Sequence, residues 1–236
     1  MRPKRVAIMQ PYVLPYIGYF QLIHASDAFV LLDDAAFIKR GWVNRNRILA
    51  HGKEHLFTIP VRAASQNVPI NGTLIAPDDG WKRKLLATLE HAYRNAPGYP
   101  VLMPLLADLI GSADGSIADF AERSIRMVLR LLGIERPISK ASGMALQEAL
   151  RGQDRILAIC QAEGAAMYIN PPGGRELYQP DRFAERGIAL RFIRVGPLSY
   201  AQGGAPFVPH LSIVDVLMWN SPEQARGLLH QYELEP

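Results

Sequence analysis

Two short apolar runs, Val6-Ala7-Ile8-Met9 and Phe29-Val30-Leu31-Leu32, stand on either side of a helical stretch near the start of the chain. Runs of this length without polar alternation predict strands, and strand–helix–strand predicts a parallel pair. The first run leads into Gln10-Pro11-Tyr12-Val13-Leu14-Pro15-Tyr16-Ile17-Gly18-Tyr19-Phe20, and the second stops on Asp33-Asp34. Polar residues thus gather at the carboxyl ends of neighbouring strands, where open parallel sheets bind ligands.

Farther on, Glu54 to Val61 alternates enough to read as a strand, and residues 63–77 are rich in Ser, Asn, Pro and Gly and read as loop. Trp81, Leu85, Leu89 and Ala92 recur at helical spacing after Asp78-Asp79, either of which can cap. A second helix follows over Tyr99 to Gly111. A third opens at Ser116, with Asp119 completing a capping box, and stops at Gly133. Pro137 to Ser142 is a short strand or turn, and Ala145 to Glu163 is helical with a break near Gly152. Ala165 to Asn170 and Ile188 to Ile193 read as strands, and Leu211 to Trp219 and Pro222 to Tyr232 as helices. No linker or repeat divides the chain. The pattern predicts one α/β domain over residues 1–236, with a Rossmann-like parallel sheet and a helical insertion at about 78–133.

Composition narrows the function classes. The chain has 236 residues, 26 Lys and Arg against 22 Asp and Glu, and a single cysteine, Cys160. The mild positive balance includes no long basic run that would track a nucleic-acid backbone, so nucleic acid is not expected as a partner. A basic cleft for a phosphorylated small molecule is the better use of the excess. One cysteine excludes an internal disulfide and a cysteine zinc site, the histidines have no metal-ligand spacing, and no metal is expected. The apolar stretch behind Met1-Arg2-Pro3-Lys4-Arg5 is too short for a signal peptide, and no run is long enough to span a membrane. A cytoplasmic protein is expected.

Four stretches carry candidate chemistry. In the first, Gln10, Tyr16 and Gly18 border a helix start that suits a phosphate, with the glycine allowing close approach. The competing reading is an aromatic turn packed into the core. In the second, one of Asp33 and Asp34 can face a site and serve as a general base, since adjacent residues of an extended chain point opposite ways. A solvated, capping turn is the alternative. The third, Lys39-Arg40-Gly41-Trp42-Val43-Asn44-Arg45-Asn46-Arg47, is the most suggestive. Arg45 and Arg47 share a face if extended and suit a diphosphate together with Lys39; Trp42 can stack, and Asn44 and Asn46 can orient a carbonyl. The fourth, Gly173-Gly174-Arg175, follows a strand and offers a ligand cradle with one cation. His24 and His210 are possible proton carriers. Cys160, beside Ile156, Leu157 and Ile159, reads as a buried apolar residue. Gln10, Tyr16, Asp33, Asp34, Trp42, Asn44 and Arg45 are expected to line one cleft, because they come from the carboxyl ends of two neighbouring strands and the loops after them.

Tyr16-Ile17-Gly18-Tyr19 occupies the place of the His-x-Gly-His helix start of the nucleotidylyltransferase and pantothenate-synthetase group; the glycine matches and neither histidine does. An adenylate-forming enzyme is therefore one alternative function. A stronger resemblance rests on Gln10-Pro11-Tyr12, Pro15 to Ile23, Asp33-Asp34, Lys39 to Asn46, Tyr168-Ile169-Asn170, Gly173 to Tyr178 and Leu211 to Met218. By these residues, spread over nearly the whole chain, it resembles the WbqC-like family, whose members are encoded in bacterial O-antigen and other surface-polysaccharide clusters. The resemblance implies an acyl or aminoacyl transferase that moves a glycyl or other small acyl group onto a nucleotide-linked amino sugar. It implies no bound cofactor, with a carrier-protein or CoA-type thioester as donor and an acyl carrier protein as possible partner. A non-catalytic nucleotide-sugar-binding protein is the other alternative.

Overall fold

In a computed structural model, which describes residues 2–147, 149–204 and 206–236, the first apolar run becomes β1 (Arg5–Met9) and the second β2 (Ala28–Leu31). Between them lies α1 (Ile17–Ala25). A hairpin of β3 (Arg45–Ala50) and β4 (Lys53–Thr58) follows, then three helices, α2 (Gly80–Tyr93), α3 (Tyr99–Gly111) and α4 (Ile117–Leu131). The chain continues through β5 (Ile138–Lys140), α5 (Gly152–Ala162), β6 (Met167–Asn170), α6 (Pro180–Ala184) and β7 (Ala189–Val195). It closes with α7 (Ile213–Trp219), α8 (Pro222–Leu228) and β8 (Tyr232–Glu235).

Six strands form one sheet in the order β5-β2-β1-β6-β7-β8, parallel except at β8. Ala7 pairs with Phe29 on one side and Ile169 on the other. Alternate residues enter two cores. Ala7, Phe29 and Leu31 pack with α1, α3, α4 and α7, whereas Val6, Ile8 and Val30 pack with α5 and α6. Burial on both faces explains why these strands read as unbroken apolar runs. The protein is thus a mixed α/β structure with a mostly parallel, Rossmann-like sheet flanked by helices, and α2, α3 and α4 stand between β4 and β5. The hairpin pairs only with itself, as a separate two-stranded ribbon.

Several local expectations are corrected. Ser116 caps α4 by accepting from Ala118 N–H at 3.1 Å, but no capping box forms, because Asp119 is drawn to Lys140 at 2.6 Å. Asp78, not the N-cap Asp79, bonds the backbone of Gly80. Helix begins only at Gly152, which takes φ 52°, so the described residues between Ala145 and Arg151 are not helical; Glu148 lies outside the described residues. The last helix ends at Leu228, and Tyr232–Glu235 pairs antiparallel with β7 as an edge strand.

Two predictions arise from this frame. At the start of β1, burial opposes ionisation of Asp27. Hydrogen bonds from the Arg5 side chain and backbone, and from Arg2, outweigh it and hold the carboxyl at about 2. A depressed folded-state pKa contributes stability above the unfolded value and loses it as pH falls. Between about pH 4 and pH 2 the wild type is therefore expected to lose roughly 1 kcal/mol more than Asp27→Asn, after allowance for solvent screening. Melting temperatures against pH read this directly. Cys160 is fully buried in the α5 core, and burial pushes its thiol up to about 12. A thiol that stays protonated is a poor nucleophile, so any activity of the protein is expected to survive Cys160→Ala. The packing cost is about 1 kcal/mol, read by thermal melting beside an activity assay.

Candidate functional site

The site begins with the chain leaving β1. Leu14 is buried and takes φ 44°, a conformation that branched and bulky residues avoid. It is held there from three directions. Leu14 N–H donates to Ser124 Oγ at 3.0 Å; its carbonyl accepts from Asn46 Nδ2 at 2.8 Å and from Ser212 Oγ at 2.7 Å. Val13 N–H adds a bond to Val43 O at 3.0 Å. Strained backbone fixed by surrounding structure is a mark of functional loops.

That loop forms one wall of a cavity of about 600 Å³ at the carboxyl ends of β1, β6 and β7. Tyr12 and Tyr16 come from the loop, Pro172 follows β6, Val195 ends β7, and Gly196 to Leu198 follow it. Trp42, Asn46 and Arg47 close one side, and Phe207, Pro209 and His210 the other. The chain passes from β1 outward to β2 on one flank, whereas β6 and β7 lie on the opposite flank. The cavity therefore sits at the topological switch point of the sheet, where doubly wound folds bind their ligands.

Its chemistry is aromatic and cationic. Trp42 carries the Arg45 guanidinium 5.5 Å and the Arg47 guanidinium 5.3 Å from its ring centroid. Arg47 Nη1 also donates to Glu54 at 2.7 Å, a pair partly open to solvent. Arg194, at the far wall, pairs with Glu233 and Glu235. Burial raises the pKa of the Tyr12 and Tyr16 phenols, which keeps both as neutral donors. His210 stands edge-on to Tyr16 at 6.1 Å and takes φ 59°, presenting an imidazole in the cavity. The wall residues Pro197, Leu198, Phe207 and Pro209 hang on buried Asp215, which accepts from Tyr200 and Gln202.

A second, more polar cavity of about 960 Å³ opens at the carboxyl ends of β2 and β5. Asp34 lines it and is paired with Arg155. The expectation of one shared mouth is thus corrected, since Asp34 and the Trp42 group line different cavities. Residues 69–71 pin the loop after β2 toward β5, with Ile70 N–H on Ala35 O and Asn71 N–H on Asp33 O, both at 2.9 Å.

Other residues singled out by sequence fall as follows. Asp33 is buried, accepting from Ser142 N–H at 3.0 Å, Ser142 Oγ at 2.6 Å and Asn71 Nδ2 at 3.4 Å; it tethers loops and faces neither cavity. Asn44 is buried on Ile59 O at 2.8 Å. Arg45 spends its Nε on Gly41 O at 2.8 Å and borders Trp42 without lining the cavity. Gln10 accepts from Tyr12, and Lys39 is exposed; neither lines either of these two cavities. Gly18 makes room not for a ligand but for the Tyr16 ring, which a Cβ would meet at 2.3 Å. Gly174 likewise admits the Asn170 amide, and Gly173 lies in open space. Arg175 stacks on Phe192 at 4.5 Å and binds the Glu235 carboxylate and the Pro236 carbonyl, tying the chain end down. Tyr19 turns into the core and donates to Gln10 O at 2.9 Å, so only Tyr16 of the two tyrosines flanking Gly18 reaches the cavity.

Sequence reasoning missed Arg194, Phe207 and Arg155 and undervalued His210. A signal existed for the wall: Gly196-Pro197-Leu198-Ser199-Tyr200 and Phe207-Val208-Pro209-His210 place prolines and aromatics after a strand, as Gln10 to Tyr19 do after β1. Arg155 lies within a helix and had none.

The profile of the WbqC-like protein family matches residues 10–227. Uncharacterized protein Rv1507c of Mycobacterium tuberculosis (strain H37Rv) is 29% identical over 217 residues, covering 91% of this chain and 93% of its own length. No solved structure matches the chain.

Proposed function

Since the chain belongs to the WbqC-like protein family, we propose that it is a transferase of surface-polysaccharide assembly, moving a glycyl or other small acyl group from a thioester onto a nucleotide-linked amino sugar. The observation that carries this reading is the convergence of Trp42, Arg47, Tyr16 and His210 on one cavity at the switch point. Trp42 and Phe207 offer ring faces to a base, and Arg47 offers a planar fork to a diphosphate. Asn46 positions rather than binds, because its amide is committed to Leu14 O and it accepts from Arg47 N–H.

His210 replaces the paired aspartates as proton acceptor in this reading. The sugar amine attacks the acyl carbonyl, the C–S bond breaks, and the amine proton passes through the imidazole to the departing thiolate. General-base help of this kind contributes roughly 10²–10⁴ in rate. Mass spectrometry of nucleotide-linked amino sugars incubated with small acyl thioesters tests it. Wild type is expected to form the N-acyl sugar, and His210→Ala to do so about 10²–10⁴ times more slowly with affinity retained. Binding without product for any donor would leave a nucleotide-sugar-binding protein in place of a transferase.

A further inference from the structure

Residues 35–53 contain five cations, Lys39, Arg40, Arg45, Arg47 and Lys53, and no Asp or Glu, leaving 21 Lys and Arg against 22 Asp and Glu elsewhere. The net charge of the chain therefore originates in this one segment. Ile38 to Trp42 forms a tight turn, with Gly41 N–H on Ile38 O at 3.0 Å and Arg40 at φ 62°. Its apolar side chains point outward: Ile38 is 48% and Trp42 42% exposed, and Leu56, opposite Arg47 in the hairpin, is 48% exposed. Neither Lys39 nor Arg40 forms an ion pair among the described residues, although Arg47 pairs with Glu54.

We infer that this turn docks the protein on an anionic lipid surface. Ile38 and Trp42 enter the headgroup region, where tryptophan is favoured, and Lys39 and Arg40 lie at the level of the phosphates. Exposed aliphatic tips flanked by cations gain both from apolar burial and from anionic lipid, the combination used by peripheral proteins. A nucleic-acid backbone would reward the cations and leave Ile38 and Leu56 in water. Trp42 also lines the first cavity, so docking sets the mouth of that cavity beside the lipid. The inference stands apart from the transferase chemistry and survives its failure.

Co-sedimentation of the full chain with phosphatidylglycerol-containing vesicles, against pure phosphatidylcholine vesicles, tests it. Binding is expected only to the anionic vesicles and to fall with salt. Arg40→Glu removes one cation and adds one anion, and should weaken binding roughly 30-fold. Lys84→Glu, the same charge change on α2, should have little effect. Ile38→Asp should abolish quenching of tryptophan fluorescence by brominated lipid while the melting temperature holds. Equal binding to both vesicle types, equal behaviour of Arg40→Glu and Lys84→Glu, or retention on duplex DNA without vesicle binding would each overturn the inference.

Discussion

Asp215→Ala is expected to lower stability by roughly 3 kcal/mol, about 10 °C in melting temperature for a chain of this size, and to weaken ligand binding with it. The carboxylate is fully buried. Its Oδ1 accepts from Tyr93 Oη at 2.7 Å, and its Oδ2 from Tyr200 Oη and Gln202 Nε2, both at 2.8 Å. Burial raises the pKa of both phenols, so each remains an O–H donor that would lose its acceptor. Unsatisfied buried donors cost more than the bonds themselves contribute. Gln202 in turn holds Val208 by both its N–H, at 2.7 Å, and its carbonyl, at 3.0 Å, while Tyr200 packs edge-on against Phe207. The wall of the first cavity therefore depends on a residue that does not line it. Thermal melting and a ligand titration on the same variant separate the two effects; an unchanged melting temperature would rule out the anchoring role.

Arg47→Ala is expected to weaken nucleotide-sugar binding by about 10- to 100-fold, the range of a lost hydrogen bond to a charged group, with little change in melting temperature. Stability is spared because the Arg47–Glu54 pair is partly solvated, and such pairs contribute below about 1 kcal/mol. Arg45→Ala should lose far less affinity, since that guanidinium serves Gly41 and the Trp42 face from outside the cavity. Calorimetric titration of the two variants decides between them. Equal losses would return Arg45 to the site.

The contrast between Arg45 and Arg47 shows where the sequence stopped being legible. Continuous apolar runs revealed β1, β2, β6 and β7, and helical spacing revealed α2 to α4, because these patterns arise from local geometry and burial. Gln10 to Tyr19 and Lys39 to Arg47 also stood out as aromatic and cationic stretches, and Tyr12, Tyr16, Trp42 and Arg47 from them line the first cavity. What one strand of sequence could not display was pairing across long separations. Asp33 looked like a base until Ser142, more than a hundred residues on, saturated it. Asn46 looked like a ligand contact, yet its partner is the carbonyl of Leu14. Gly18 and Gly174 suggested room for a substrate, and the space belongs to Tyr16 and Asn170. β8 escaped because Tyr-Glu-Leu-Glu is polar enough for an edge and too short to show a period.

The central claim is that the ligand site is the switch-point cavity and not the one beside Asp34. Amide hydrogen exchange of the wild-type protein, with and without a bound nucleotide sugar, tests this most directly. Protection is expected in residues 12–17, 42–47 and 194–210, with the segments around Asp34 and Arg155 unchanged. Protection confined to residues 32–36 and 141–156 would contradict the account.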